Sequence, residues 1–279
     1  MLDTIDRWLG GFLGAAMSGL LAIIAIAAII IFAEYSRQQR YRDRMLKRLN
    51  NIDMMLQENM THDALAICRD MLKEINRDKD SETYSILKNN EGRCYYNFAL
   101  KEKRSDNILK AISAYEESLK YCNPKKYPEN YALTQYSLGN TYIKLSEFYK
   151  QYIYLAKAVM AFSEAAKFYT ASKHPASYGH IHSSLCDAYY KLSEYAYSEE
   201  NLTKALDSCE KALQIYSFEK YPLNYAEIQK TFGLASASIA RYRQAEDNLL
   251  HAINSFTAAL KVYNADKYSL QYITINMLI

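Results

Sequence analysis

NILKAISAYEESLKYCNPKKYPENYALTQYSLGNTYIKLSEF, residues 107–148, decides the fold, because the same text returns with substitutions at 154–195 and at 201–242. Laid over YLAKAVMAFSEAAKFYTASKHPASYGHIHSSLCDAYYKLSEY and NLTKALDSCEKALQIYSFEKYPLNYAEIQKTFGLASASIARY, it aligns without a gap at a step of 47 residues. Ala64, Ala111, Ala158, Ala205 and Ala252 keep that step, as do Tyr84, Tyr131, Tyr178, Tyr225 and Tyr272. Gly92, Gly139 and Gly233 form a third row with Cys186 in the open place, and Pro128, Pro175 and Pro222 form a fourth. Four rows in one phase make this a repeat array, whose neighbouring units pack in one geometry.

Inside each unit the apolar residues step by three and four, as in Ala111, Ile112, Tyr115 and Leu119 and again in Leu138, Tyr142 and Leu145, which predicts two amphipathic helices per unit. The prolines open the second segment, where a missing amide donor costs nothing. The phase predicts helix pairs over 82–122, 129–169, 176–216 and 223–264, joined by turns of about five residues. Residues 38–76 read as a degenerate first pair with Leu46, Leu49, Ile52, Met55 and Leu56 as its apolar stripe, and 269–279 as the start of a further first helix. Composition agrees: 8 Gly and 4 Pro in 279 residues are too few for a turn-rich β fold. The expected class is all-α. Small residues of the Ala and Gly rows let helix backbones approach, and Tyr115, Phe162 and Phe256 fill the space beside them.

From Phe12 to Ala33 there is no charged residue, and GLLAIIAIAAIIIF at 19–32 lies within a stretch that matches the ~20 helical residues a bilayer core requires. Asp3 and Asp6 outweigh Arg7 ahead of it, and no small-residue cleavage pattern follows Phe32, unlike a signal peptide. Residues 12–33 are therefore expected to span a membrane. Arg37, Arg40, Arg42, Arg44, Lys47 and Arg48 follow, opposed by Glu34 and Asp43, so the positive-inside bias puts residues 1–11 outside and the repeat region, 59–279, in the cytoplasm beyond a basic juxtamembrane helix, 34–58. That flank can lie against anionic head groups.

At these residues the chain resembles the tetratricopeptide repeat family. LGxxY is present as Leu138, Gly139 and Tyr142, and AxxxFxxA as Ala158, Phe162 and Ala165 and as Ala252, Phe256 and Ala259. Cys186 departs at the glycine, Cys209 at the aromatic residue and Ser236 at the late tyrosine. The period exceeds the family's ~34 residues by about 13, like a long-period variant of prokaryotic arrays. The surplus falls at both helix junctions, so each helix is expected to be one to two turns longer. The resemblance covers roughly residues 60–279 and implies a right-handed α-solenoid whose first helices line a concave groove. Carried over by register, the partner-binding residues are Asn89, Arg93 and Tyr96; Tyr136, Asn140, Ile143 and Lys144; Ser183, Asp187, Tyr190 and Lys191; and Lys230 and Leu234. Such side chains can grip a peptide's backbone and carboxylates.

Chemistry that would compete with this reading is thin. There is no glycine-rich phosphate loop, HExxH or GxSxG, so no enzyme is expected. The formal charge of +3 does not point to nucleic acid. His182 and Cys186 stand at i and i+4, a spacing that could share a metal, but no fourth ligand accompanies them, and Cys186 reads as a packed thiol. Cys68, Cys94, Cys122, Cys186 and Cys209 show no CxxC pair, which fits a reducing compartment. No cofactor and no metal are expected. The function expected is a membrane-anchored scaffold that binds protein segments. The alternative is a sensory or regulatory input module with its effector elsewhere. SLQYITINMLI at 269–279 ends in mid-unit, which leaves an apolar edge for docking or self-association.

Overall fold

The computed structural model describes residues 2–102, 105–149 and 152–279, with the side chains of 2–25 outside that description. Among the described residues there are eleven helices and no strand, so the chain is all-α. It divides into two compact units, Met1–Glu58 and Asn59–Ile279.

The first unit is one uninterrupted helix, α1 (Leu2–Gln57), of 56 residues, about 84 Å at 1.5 Å per residue. No break separates the expected span from the basic segment after it. Among the described residues no helix is long and apolar enough to cross a membrane; residues 12–25 of the expected span have side chains outside the described set. Further along α1 the buried stripe is Met45, Leu49, Ile52 and Leu56. This corrects the stripe read from sequence: Leu46 is 52% exposed and Met55 half-buried. The four-three-four step of the observed set follows one face of an α-helix, whereas Leu46 falls a full residue, about 100°, off it.

The second unit begins with α2 (Thr61–Glu74) and continues as four pairs: α3 (Ser81–Glu102) with α4 (Ser105–Tyr121), α5 (Pro128–Tyr149) with α6 (Tyr152–Ala166), α7 (Pro175–Ser193) with α8 (Ser198–Leu213), and α9 (Pro222–Ile239) with α10 (Ala245–Leu260). A short α11 (Ser269–Asn276) follows. Packing is closest within pairs, next closest between each pair and its successor, and α3, α5, α7 and α9 also touch in sequence. The Ala row lies at the centre of these contacts: Ala64, Ala111, Ala158 and Ala205 are fully buried and Ala252 is 3% exposed. Beside it Gly92, Gly139 and Gly233 receive the rings of Tyr115, Phe162 and Phe256 so closely that an added Cβ would stand 2.5–2.6 Å from a ring carbon.

The connections between pairs, residues 122–127, 167–174, 214–221 and 261–268, are longer than the expected five-residue turn, and they repeat too. Asn76 Oδ1 accepts from the amides of Asp78 and Lys79, Asn123 Oδ1 from Lys125 and Lys126, Ser217 Oγ from Lys220, and Asn264 Oδ1 from Lys267. Positions 76, 123, 217 and 264 share one register, with Thr170 in the remaining place. A short side chain with an acceptor oxygen closes the turn at the first four, while the Thr170 hydroxyl meets that of Ser172 at 3.5 Å. After it, Tyr169 meets His174, Tyr216 meets Tyr221 and Tyr263 meets Tyr268 edge to face, each at 5.4 Å. In the Tyr84 row Tyr84, Tyr131, Tyr178 and Tyr225 are half-buried and Tyr272 is exposed; Tyr84 donates its hydroxyl to Glu117 at 3.3 Å and packs on Tyr121.

A second cross-helix row couples Lys110, Lys157 and Lys204 to the rings of Tyr95, Tyr142 and Tyr189, at 5.8, 5.4 and 5.8 Å from the centroids. In the last pair both partners change together, to His251 and Ser236. Each contact contributes about 0.5–1 kcal/mol, and loss of one partner removes the reason for the other.

Within pairs, the first helices run to 22 residues in α3 and α5, but only to 19 and 18 in α7 and α9. There the chain turns instead through Tyr197 (φ 47°) and Gln244 (φ 46°), equivalent positions that N-cap α8 and α10 in the left-handed region without a side-chain cap bond. An L-residue other than Asn or Gly is disfavoured there by about 1 kcal/mol. Both side chains are exposed, so nothing is lost by shortening them. Tyr197→Asn and Gln244→Asn are each expected to stabilise the chain by a few tenths to ~1 kcal/mol in chemical denaturation.

Candidate functional site

The residues carried over by register sit on α3, α5, α7 and α9, the helices that touch one another along the array. Their chemistry is more internally satisfied than the sequence predicts. Asn89 is 5% exposed and donates from Nδ2 to Thr134 Oγ1 at 2.9 Å. Thr134 in turn lies beside Ser118, whose hydroxyl donates to the Ser85 carbonyl at 2.7 Å. Asn89 is thus a tie between α3 and α5. Arg93 donates to Asn90 Oδ1 at 2.8 Å.

The middle of the face is aromatic. Tyr96 and Tyr136 are half-buried, and Tyr136 lies 5.7 Å from the Phe162 ring. Burial, and then Glu147 and Tyr136, push the Tyr96 phenol up; Tyr190 is raised by burial first and then by Glu194. Both remain neutral donors at physiological pH. Asn140 and Ile143 are half-buried between them and the lysines.

Each lysine of the set is matched on its own helix. Lys144 pairs with Glu147 at 2.5 Å, Lys191 with Asp187 at 2.7 Å, and Lys230 with Glu227. With three of its cations each beside a carboxylate one turn away, this face is close to charge-balanced. Exposed pairs of this kind contribute little to stability, but they remove the net field a clamp for acidic chain ends would need. Leu234 is half-buried against the Ala226–Phe256 cluster and belongs to the core.

Ser183, Asp187 and Lys191 come together with Glu227, Ile228 and Thr231 around a cavity of about 290 Å³ between α7 and α9. Its floor includes Cys186. The packed thiol expected there is not what the structure contains: Cys186 is joined to Cys209 as a disulfide linking α7 to α8, with Cα atoms 5.1 Å apart. The two occupy the glycine and aromatic registers of the neighbouring units, so a bond replaces the glycine–ring contact. Among the described residues no three potential ligands converge on a metal position. His182 packs against Tyr178 instead, ring centroids 4.3 Å apart and planes tilted by 58°, and burial, helped by Lys211 and opposed by Asp207, lowers its pKa to about 4.

Sequence reading missed the Tyr216 and Tyr263 row. Tyr263 donates its hydroxyl to Glu227 Oε2 at 2.8 Å, whereas the buried Tyr216 hydroxyl has no protein partner among the described residues, its ring lying edge to face with the His180 ring at 5.6 Å between centroids. His180 occupies the register of Glu227, which accounts for the lost acceptor. Burial first, then Tyr136 and Tyr221, push Tyr216 up to about 12. The 47-residue spacing of 169, 216 and 263 was the available signal. No family model matches the chain, and no curated protein matches it.

Proposed function

We propose that the chain is a membrane-anchored, non-catalytic scaffold: a right-handed, tetratricopeptide-like α-solenoid that binds partner protein segments along the face of α3, α5, α7 and α9. The observation that carries this reading is the serial contact of these first helices at a gapless 47-residue step. It makes one continuous surface from equivalent positions, lined by half-buried tyrosines and balanced charge pairs, a composition suited to a polypeptide. The anchor is supported by Ile26, Ile29, Ile30, Ile31 and Phe32, 58–71% exposed on α1, side chains that a hydrocarbon environment would cover.

A photo-crosslinking residue at Asn140 or Lys191 of the full chain in its membrane is expected to capture a partner that the same residue at Met160, on the second helix, or at Lys167, just past its end, does not. Equal capture from both faces, or none from the groove, would sink the proposal. Resistance of the chain to alkaline extraction tests the span.

The cationic flank after residue 33 supports an orientation with the repeats in the cytoplasm and the N-terminus outside. One observation favours the reverse: disulfides such as Cys186–Cys209 persist mainly in oxidising compartments. Protease accessibility of a C-terminal tag in intact cells decides between the two. The exposed apolar side chains of α11 and its flank, Leu270, Ile273 and Met277, would carry self-association, which the mass in solution as a function of concentration tests.

A further inference from the structure

The cavity between α7 and α9 follows from one register position. Ser183 stands 47 residues after Tyr136. One unit earlier, Tyr136 sends its ring toward Phe162 and its phenol close enough to Tyr216 to help raise that hydroxyl. Serine at the equivalent place leaves the space open, about 290 Å³. Pockets for small molecules and cofactors begin near ~300 Å³, so this volume suits a single inserted side chain.

Its walls specify which one. Ile228, itself 2% exposed, and Cys186 line it on the apolar side, Ser183 and Thr231 offer hydroxyls, and Asp187 and Glu227 offer carboxylate oxygens. This fold already seats phenols on carboxylates: Tyr142 donates to Glu116 at 3.0 Å, Tyr84 to Glu117 at 3.3 Å, and Tyr263 to Glu227 itself at 2.8 Å. An arginine would be drawn by uncompensated negative charge, but Lys191 and Lys230 already pair with Asp187 and Glu227. A neutral phenol needs only a free acceptor lone pair: Asp187 keeps several after its one ion pair with Lys191, whereas both oxygens of Glu227 are already engaged, by Lys230 and by Tyr263.

We propose that this cavity is a subsite for a tyrosine side chain of the bound partner segment, supplying in trans the ring that Tyr136 supplies in cis. The inference rests on the groove-binding reading above and names the side chain the groove selects. N-acetyl-tyrosinamide, N-acetyl-argininamide and N-acetyl-leucinamide are titrated into the full chain in detergent micelles while the Ile228 methyl resonance is followed by NMR. The tyrosine amide is expected to give a saturable shift and to bind at least roughly fivefold more tightly than the other two, about 1 kcal/mol. Ser183→Tyr is expected to abolish the shift and raise the unfolding midpoint. Equal or tighter binding of the arginine or leucine amide, the absence of saturation, or an undiminished shift in a folded Ser183→Tyr chain would overturn the proposal. If that variant does not fold, the order of the three amides decides. Partner capture at Asn140 or Lys191 without tyrosinamide binding refutes the subsite and leaves the groove; tyrosinamide binding without capture supports the subsite and refutes the scaffold.

Discussion

Gly139→Ala is expected to destabilise the repeat region by about 1–3 kcal/mol, the usual cost of forcing extra volume into a well-packed core. On an isolated helix the same change would be favourable by close to 1 kcal/mol, because alanine is the better helix former. The sign is decided by the Phe162 ring, which is fully buried and whose Cε1 and Cδ1 would lie 2.5 and 2.6 Å from the new methyl. A rigid ring held between two helices cannot retreat as the tip of a lysine could. Gly233→Ala should behave alike against Phe256, and Gly179→Ala more mildly, since its nearest neighbours are Tyr216 at 2.9 Å and Ile215 at 3.0 Å. Phe162→Leu in the Gly139→Ala background is expected to recover part of the loss, a positive coupling in a double-mutant cycle. Because repeat arrays unfold by neighbouring units, hydrogen exchange of α5 and α6 is the appropriate measurement alongside the global transition. A Gly139→Ala chain as stable as the parent would show that the glycine row does not set the helix spacing.

How much of this was legible beforehand depends on whether a position keeps its residue type or only its chemistry. Alanine, proline and the Tyr84 row recur as letters, and from them the four helix pairs follow to within a few residues at most ends. The turn row does not recur as letters: Asn76, Asn123, Thr170, Ser217 and Asn264 share only a short side chain with an acceptor oxygen, so the spacing hides among dissimilar residues. The Lys110–Tyr95 row is harder still, since its partners lie on different helices and reveal themselves only when His251 and Ser236 change together.

The candidate groove was legible as a face but not as a site. Register places Asn89 and Tyr136 on the same helix aspect, yet Asn89 is consumed by Thr134, 45 residues away, a bond that depends on how close α3 and α5 approach. Likewise the lysines look available in sequence, and their neighbours at three or four residues neutralise them. The cavity beside Ser183 arises from a missing ring, and a void has no letter of its own.

The pair Cys186 and Cys209 permits the sharpest test of the repeat geometry. Closing a loop of sequence separation 23 removes denatured-state entropy worth about 3 kcal/mol, so reduction is expected to lower the stability of the unit formed by α7 and α8 by up to that amount. Equivalent positions in the next pair hold Gly233 and Phe256, and in the previous pair Gly139 and Phe162. Cys209→Phe alone places a ring against the Cβ of Cys186 and should cost at least as much as Gly139→Ala. Cys186→Gly alone breaks the bond, adds close to 1 kcal/mol of helix penalty and leaves a void beside the Cys209 thiol. The double substitution restores the glycine–ring contact of both neighbours. It is expected to exceed the sum of the single effects by at least ~2 kcal/mol, and to unfold at the same denaturant concentration with or without reductant. If the double variant is no more stable than the two losses added together, the α7–α8 pair does not share the packing of α5–α6 and α9–α10, and the equivalence on which the groove reading rests fails with it.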